Sequence, residues 1–164
     1  MKILIMSDTH FSRNFSVDNN LLKQISESDM IIHCGDFTSR EFFDFLNSSK
    51  KLSAVRGNND SRMSELLGTE LKMQLDGFRI AVTHGHYTSI ENLHNKYSDS
   101  DIIIFGHTHH PSIENVRDQL LINPGSLTAN RYVDYNTFMT MNLIEGQKPV
   151  VNIFKNGVKE AIHV

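Results

Sequence analysis

The sequence predicts an α/β fold, with mixed β-sheets in two layers flanked by helices, on three observations. Short apolar runs alternate with amphipathic helical stretches over the first two-thirds of the chain. Those runs are apolar at nearly every position, as in strands covered on both faces. The final third switches to strand-like segments joined by tight-turn dipeptides. No repeat or Pro/Gly-rich linker divides the 164 residues, so they read as one domain spanning 1–164.

The elements follow in order. KILIM (2–6) is the first strand. Ser16 or Asp18 then starts a helix carrying Leu21, Leu22 and Ile25. DMIIH (29–33) is the second strand, and Thr38-Ser39-Arg40-Glu41 reads as a capping box ahead of Phe42, Phe45 and Leu46 on one helical face. KLSAV (51–55) is the third strand, after which Asp60 or Ser61 opens a short helix ending at Gly68. Asp76-Gly77 joins LKMQL (71–75) to FRIAV (78–82) as a hairpin. Thr88-Ser89-Ile90-Glu91 is a second capping box, with Ile90, Leu93 and Tyr97 at helical spacing, and DIIIF (101–105) follows. Beyond it Asp118-Gln119, Glu145-Gly146 and Asn156-Gly157 each separate two strand-like segments.

Five strands stop abruptly before metal-binding residue types. They are followed by Ser7-Asp8-Thr9-His10, Cys34-Gly35-Asp36, Arg56-Gly57-Asn58-Asn59-Asp60, Thr83-His84-Gly85-His86 and Gly106-His107-Thr108-His109. Ligands of open α/β sheets bind outside the carboxyl ends of the strands, so five such ends can converge. Asp, His and Asn recur there without Lys or a nucleophilic Ser, an inventory suited to two divalent cations. Singly each motif has an ordinary reading: Gly-Asp is a common turn, and Gly57-Asn58-Asn59-Asp60 could be an Asx-rich loop capping the next helix. Their conjunction at successive strand ends makes coincidence the minority case.

Composition narrows the function classes. Charged residues make up 21% and the net charge is −3, which leaves no basic excess for a dedicated nucleic-acid surface. A phosphate substrate stays open, because bound cations would dominate the local field. Cys34 is the only cysteine, which points to a reducing compartment, and Met1 to Met6 is too short for a leader or a membrane span, so the cytoplasm is expected.

Together the five motifs resemble the series of the calcineurin-like metallophosphoesterases. The short chain, with Ile122-Asn123-Pro124-Gly125-Ser126, resembles the small single-domain YfcE-like phosphodiesterase branch. That resemblance implies a metallophosphoesterase β-sandwich and a dinuclear metal site. Asp8, His10 and His109 would hold one metal, Asn58, His84 and His107 the other, and Asp36 would bridge them, with Asp36, Asn58 and His84 also counted as catalytic. Mn²⁺ is the first choice of ion, with Fe²⁺, Co²⁺, Ni²⁺ and Zn²⁺ compatible with the same donors. The implied reaction is phosphoesterase chemistry, foremost on a small phosphodiester, by in-line attack of a metal-bridging hydroxide. The resemblance also allows association into a homo-oligomer.

One position departs from the pattern. Many relatives carry His as the third residue of the Gly-Asn-x-Asp motif, assigned as proton donor to the leaving group, where this chain has Asn59. An amide is no general acid at neutral pH, so weaker action on alkyl leaving groups is expected. Two roles are open to His86, touching substrate or supporting a ligand from behind. Asp60 either orients Asn58 or His10 or caps a helix, while His33 reads as a satisfied interior histidine. Arg13, Arg56 and Arg131 are candidate phosphate contacts set against the plainer reading of solvated side chains. The alternative of another class is a non-catalytic protein-interaction scaffold on the same fold, like the trafficking subunit of retromer.

Overall fold

The computed structural model describes residues 1–12, 14–128 and 134–160; Arg13 and Arg131 lie outside them. Two β-sheets pack face to face. The first has the order β11-β10-β9-β1-β2-β3, with β1 (Lys2–Met6), β2 (Met30–His33), β3 (Lys51–Ala54), β9 (Thr137–Asn142), β10 (Val150–Lys155) and β11 (Val158–Glu160). The second has the order β4-β5-β6-β8-β7, with β4 (Glu70–Leu75), β5 (Phe78–Thr83), β6 (Ile102–Ile104), β7 (Ser112–Val116) and β8 (Gln119–Asn123). Helices α1 (Asn19–Glu27) and α2 (Arg40–Ser49) cover the first sheet, and α3 (Ile90–Lys96) covers the second.

The period-2 alternation of side chains explains the layers. Ile3 and Ile5 point between the sheets and meet Ile80, Val82, Ile102, Ile104 and Ile122. Leu4 and Met6 point the other way, against Leu21, Ile25, Phe42 and Leu46 of α1 and α2. On the far side Ala81, Ile103 and Leu121 take Leu93 of α3 and Tyr97, which follows its last turn. Burying each such side chain contributes about 1.5–3 kcal/mol relative to exposure, and only a strand apolar on both faces can serve two layers.

Chain direction brings the loops together. β1, β2 and β3 run parallel, as do β5, β6 and β8, so all six carboxyl ends open on one edge of the sandwich. Antiparallel pairing joins β4–β5, β7–β8, β9–β10 and β10–β11, where the hairpin signals fall, and also β1–β9.

Some local expectations shift by a residue. The α2 N-cap is Ser39 rather than Thr38: Ser39 Oγ accepts from Phe42 N–H. The α3 N-cap position is Ser89 rather than Thr88, with no side-chain cap bond. Leu22 faces solvent, and the turn between β7 and β8 falls on Arg117-Asp118. The stretch after Asp60 forms only a 3₁₀ turn, Ser61–Met63. Among the described residues no helix is long and apolar enough to cross a membrane.

Candidate metal centre

The strand-end loops place their donors through strained backbone. Asp8, His10, Asp36, His107 and His109 all have positive φ, between 45° and 69°. Non-glycine residues adopt this conformation at a cost of about 1–3 kcal/mol each, sustained only where the surroundings enforce it. On a regular strand His107 and His109 would face the same way; the turn conformation is what separates their rings. Close loop contact is enforced by glycine. A Cβ on Gly106 would lie 1.9 Å from Ser7 Oγ and 2.7 Å from Asp8 Oδ2.

Two clusters of donors share one carboxylate, that of Asp8. Asp8, His10 and His109 form one; Asp8, Asp36 and His84 form another. His109 Nε2 lies 3.1 Å from Asp8 Oδ1 and 3.3 Å from His10 Nε2. Asp36 Oδ2 lies 3.6 Å from His10 Nε2 and 3.5 Å from His84 Nε2, so one oxygen faces both clusters. Asn58 Oδ1 approaches His84 Nε2 at 3.1 Å, and the His107 ring lies 5.2 Å from that of His84, extending the second cluster. All seven predicted ligand positions thus line one region, buried at Asp8, Asp36, His84 and His109 and open to solvent at Asn58.

These spacings suit cations. Ligand atoms about 2.1 Å from a common ion lie about 3.0 Å apart at right angles and about 3.4 Å apart at the tetrahedral angle. Asp8 supplies a second sign of fit. Its Oδ2 accepts from Ser7 Oγ–H at 2.6 Å and from His107 N–H at 2.9 Å, whereas its buried Oδ1 accepts no well-aligned hydrogen bond among the described residues. Three imidazole nitrogens point at that oxygen instead, those of His109, His10 and His84.

The electrostatics are set by mutual pairing. Burial alone would raise the carboxyl pKa of Asp36, but the adjacent His84 and two Asn59 donors outweigh it and hold Asp36 well below the usual carboxylate range. Burial likewise opposes the charge of Asp8, and His109, His84 and Ser7 together overcome it and lower its pKa. For His84 burial disfavours the proton, yet Asp36, Asp8 and the Cys34 carbonyl raise its pKa. The same two carboxylates that draw positive charge onto the His84 ring are the ones a cation would compensate. The Cys34 carbonyl lies 2.8 Å from His84 Nδ1, which directs Nε2 inward.

Supporting residues hold the loops. Asp60 is buried and stands at the N-cap position of the 3₁₀ turn without a side-chain cap bond; among the described residues its carboxylate braces neighbouring loops rather than bonding Asn58 or His10. Its Oδ2 accepts from Asp36 N–H at 2.6 Å and Gly57 N–H at 3.0 Å, and its Oδ1 from Thr38 N–H at 2.9 Å. Asn59 grips Asp36 twice, donating its N–H to Oδ1 at 2.8 Å and its amide to Oδ2 at 2.6 Å. Asn123 and Ser126, which carried no individual role in the sequence reading, tie the back of the site. Asn123 Nδ2 donates to the Gly106 carbonyl, and Ser126 Oγ–H donates to the Asp8 carbonyl at 2.6 Å. Their signal was a polar residue on either side of Pro124-Gly125, directly after an apolar strand.

Other histidines stand apart from the donor set. His33 is fully buried and stacked on Phe37 with ring centroids 3.5 Å apart, and its Nδ1 accepts from Gly35 N–H. Burial drives its pKa down to about 3. His86 sits beyond the second cluster, 5.3 Å from the His84 ring and 6.2 Å from that of His107. Burial and then those two histidines lower its pKa. His110 is exposed, and Arg56 is half-buried.

Comparison with known proteins follows the same lines. The sequence profile of the calcineurin-like phosphoesterase superfamily domain matches residues 1–146. A probable metallophosphoesterase of Methanocaldococcus jannaschii is 38% identical over 138 residues, covering 80% of this chain and 70% of the relative. A phosphodiesterase of the same organism is 34% identical over 143 residues, covering 76% and 83% respectively. Among solved structures, Vps29 of Entamoeba histolytica complexed with zinc has a TM-score of 0.83 over 100% of this chain and 98% of that one; at 22% identity this likeness carries the fold alone.

Proposed function

The chain belongs to the calcineurin-like phosphoesterase superfamily, and from that premise we propose that it hydrolyses small phosphodiesters at a two-cation centre. We assign Asp8, His10 and His109 to one cation, Asn58, His84 and His107 to the other, and Asp36 to both. The observation that carries this reading is Asp36 Oδ2, within 3.6 Å of a histidine nitrogen from each cluster. Mn²⁺ is the ion we name first, and Fe²⁺, Co²⁺, Ni²⁺ or Zn²⁺ suits the same imidazole, carboxylate and amide donors. When bound, such a pair supplies Lewis acidity toward phosphoryl oxygens and lowers the pKa of a water.

The chain's own residues shape the rest. Asp8 and Asp36 bring two negative charges against two dications, leaving a surplus that matches a diester monoanion. Asn58 adds a donor without adding charge. Asn59 gives no proton to a departing alkoxide, because an amide is too weak an acid at neutral pH, and its Nδ2 is in addition engaged with Asp36. Diesters with acidic leaving groups are therefore the better substrates. Every ligand position carries a donor atom, which speaks against the protein-interaction scaffold. We also read residues 1–164 as one domain working in the cytoplasm, where the lone Cys34 stays reduced.

The test is a titration of chelator-stripped protein with Mn²⁺ while following hydrolysis of bis(p-nitrophenyl) phosphate. Two ions per chain and hydrolysis abolished by EDTA are expected. A chain that takes up no ion and cleaves nothing with Mn²⁺ present would transfer the case to the scaffold.

A further inference from the structure

We propose that the cleft next to His107, walled by His86, Tyr87 and Ile90, receives the nucleobase of a nucleoside phosphodiester whose phosphorus lies at the metal centre. The proposal rests on the phosphodiesterase reading and narrows its substrate class.

Tyr87 is 69% exposed, the most exposed large hydrophobic side chain among the described residues. With the exposed Ile90 beside it on the rim of a polar centre, the ring offers apolar surface to a planar partner. The ring is not adrift. It lies against His86 with centroids 3.8 Å apart and planes inclined by 42°. His86 in turn neighbours His107 and His84, so a continuous path of rings leads from the candidate ligands outward to Tyr87.

Alongside that path runs a cleft of about 450 Å³, bounded by His86, Tyr87, Ile90, His107 and Thr108. Ile90, 40% exposed, supplies the other apolar surface. Room of this size accepts a base with its sugar. The exposed Tyr87 ring rewards a planar partner more than a flexible alkyl chain, because every base offers a π-face for stacking. Thr88 brings a hydroxyl-bearing side chain to the same cleft, suited to the polar edge of a base.

Two measurements test the proposal on the full chain with Mn²⁺ present. Calorimetry compares AMP with ribose 5-phosphate, which differ only in the base. AMP should bind at least about 5-fold more tightly, and Tyr87→Ala should remove that preference while Tyr87→Phe keeps it. Equal affinity of the two ligands for the wild-type chain, or no binding of AMP, overturns the proposal. The second measurement is the ratio of kcat/KM for thymidine 5′-(p-nitrophenyl phosphate) to that for methyl p-nitrophenyl phosphate, which share a leaving group. Tyr87→Ala should lower this ratio about 10-fold, and an unchanged ratio overturns the base-stacking role. Failure of the wild-type chain to cleave either ester would count against the phosphodiesterase reading, whereas the calorimetric comparison still decides the platform.

Discussion

Replacing Asp60 by Ala removes one buried carboxylate and with it the acceptor for three backbone N–H groups, those of Asp36, Gly57 and Thr38. The first two bonds are buried, and each orphaned buried donor costs about 1–3 kcal/mol. Relief of the carboxylate's own desolvation offsets part of this, so Asp60→Ala should destabilise the chain by about 3 kcal/mol. Asp60→Asn is milder, at about 1–2 kcal/mol. Its amide oxygen can stand at the Oδ2 position and serve Asp36 and Gly57, leaving only Thr38 unmet. The same brace holds Asp36 in its positive-φ conformation, so Mn²⁺ affinity should fall about 10- to 100-fold in the Ala variant. Urea unfolding gives the stabilities, and calorimetric Mn²⁺ titration gives the affinities. An Ala variant within about 0.5 kcal/mol of wild type would refute the cross-brace, as would an Asn variant less stable than the Ala one.

Three further outcomes are expected. Across aryl and alkyl diesters of graded leaving-group pKa, kcat/KM should fall steeply as the leaving group becomes more basic, since Asn59 offers no proton; a flat dependence would mean that another acid, His86 foremost, has taken the role. His33 has a folded pKa of about 3 against 6.5 ordinarily, so its contribution to stability is complete above pH 6.5 and is lost as pH falls toward 3. Between pH 7 and pH 5 the loss is about 2 kcal/mol. Urea unfolding of wild type should show this extra pH dependence, and His33→Asn, whose side-chain oxygen can still accept from Gly35 N–H, should lack it; parallel curves would contradict the burial argument. Saturating Mn²⁺ at about 100 times its dissociation constant should stabilise the chain by about 2.7 kcal/mol per site, seen as a concentration-dependent rise in Tm that Asp36→Ala largely removes.

Much of the fold was legible because strands covered on both faces leave an unmistakable apolar signature. Ile3 to Met6 and Ile102 to Ile104 had to be central, and whatever followed them had to lie on one edge. The candidate site was legible for the same reason, its donors being anchored to strand ends. What escaped was contact between loops. Thr38 and Ser39 carry similar capping oxygens, and the choice of Ser39 depends on how α2 packs Phe42 and Leu46 against the sheet. Asp60 sits where a helix cap would, yet loop 35–38 lies close enough to claim its carboxylate. Asn59 looked like a missing acid; only the folded chain shows it as a clamp on Asp36. Such roles depend on distances between segments far apart in sequence, which local periodicity and capping signals do not encode.

Anomalous diffraction from crystals grown with Mn²⁺ bears most directly on the central claim. It should show two peaks about 3.5–4 Å apart, with an Asp36 oxygen between them, His10 and His109 on one side and His84 and His107 on the other. A single peak, or two peaks with Asp36 bound to neither, would contradict it.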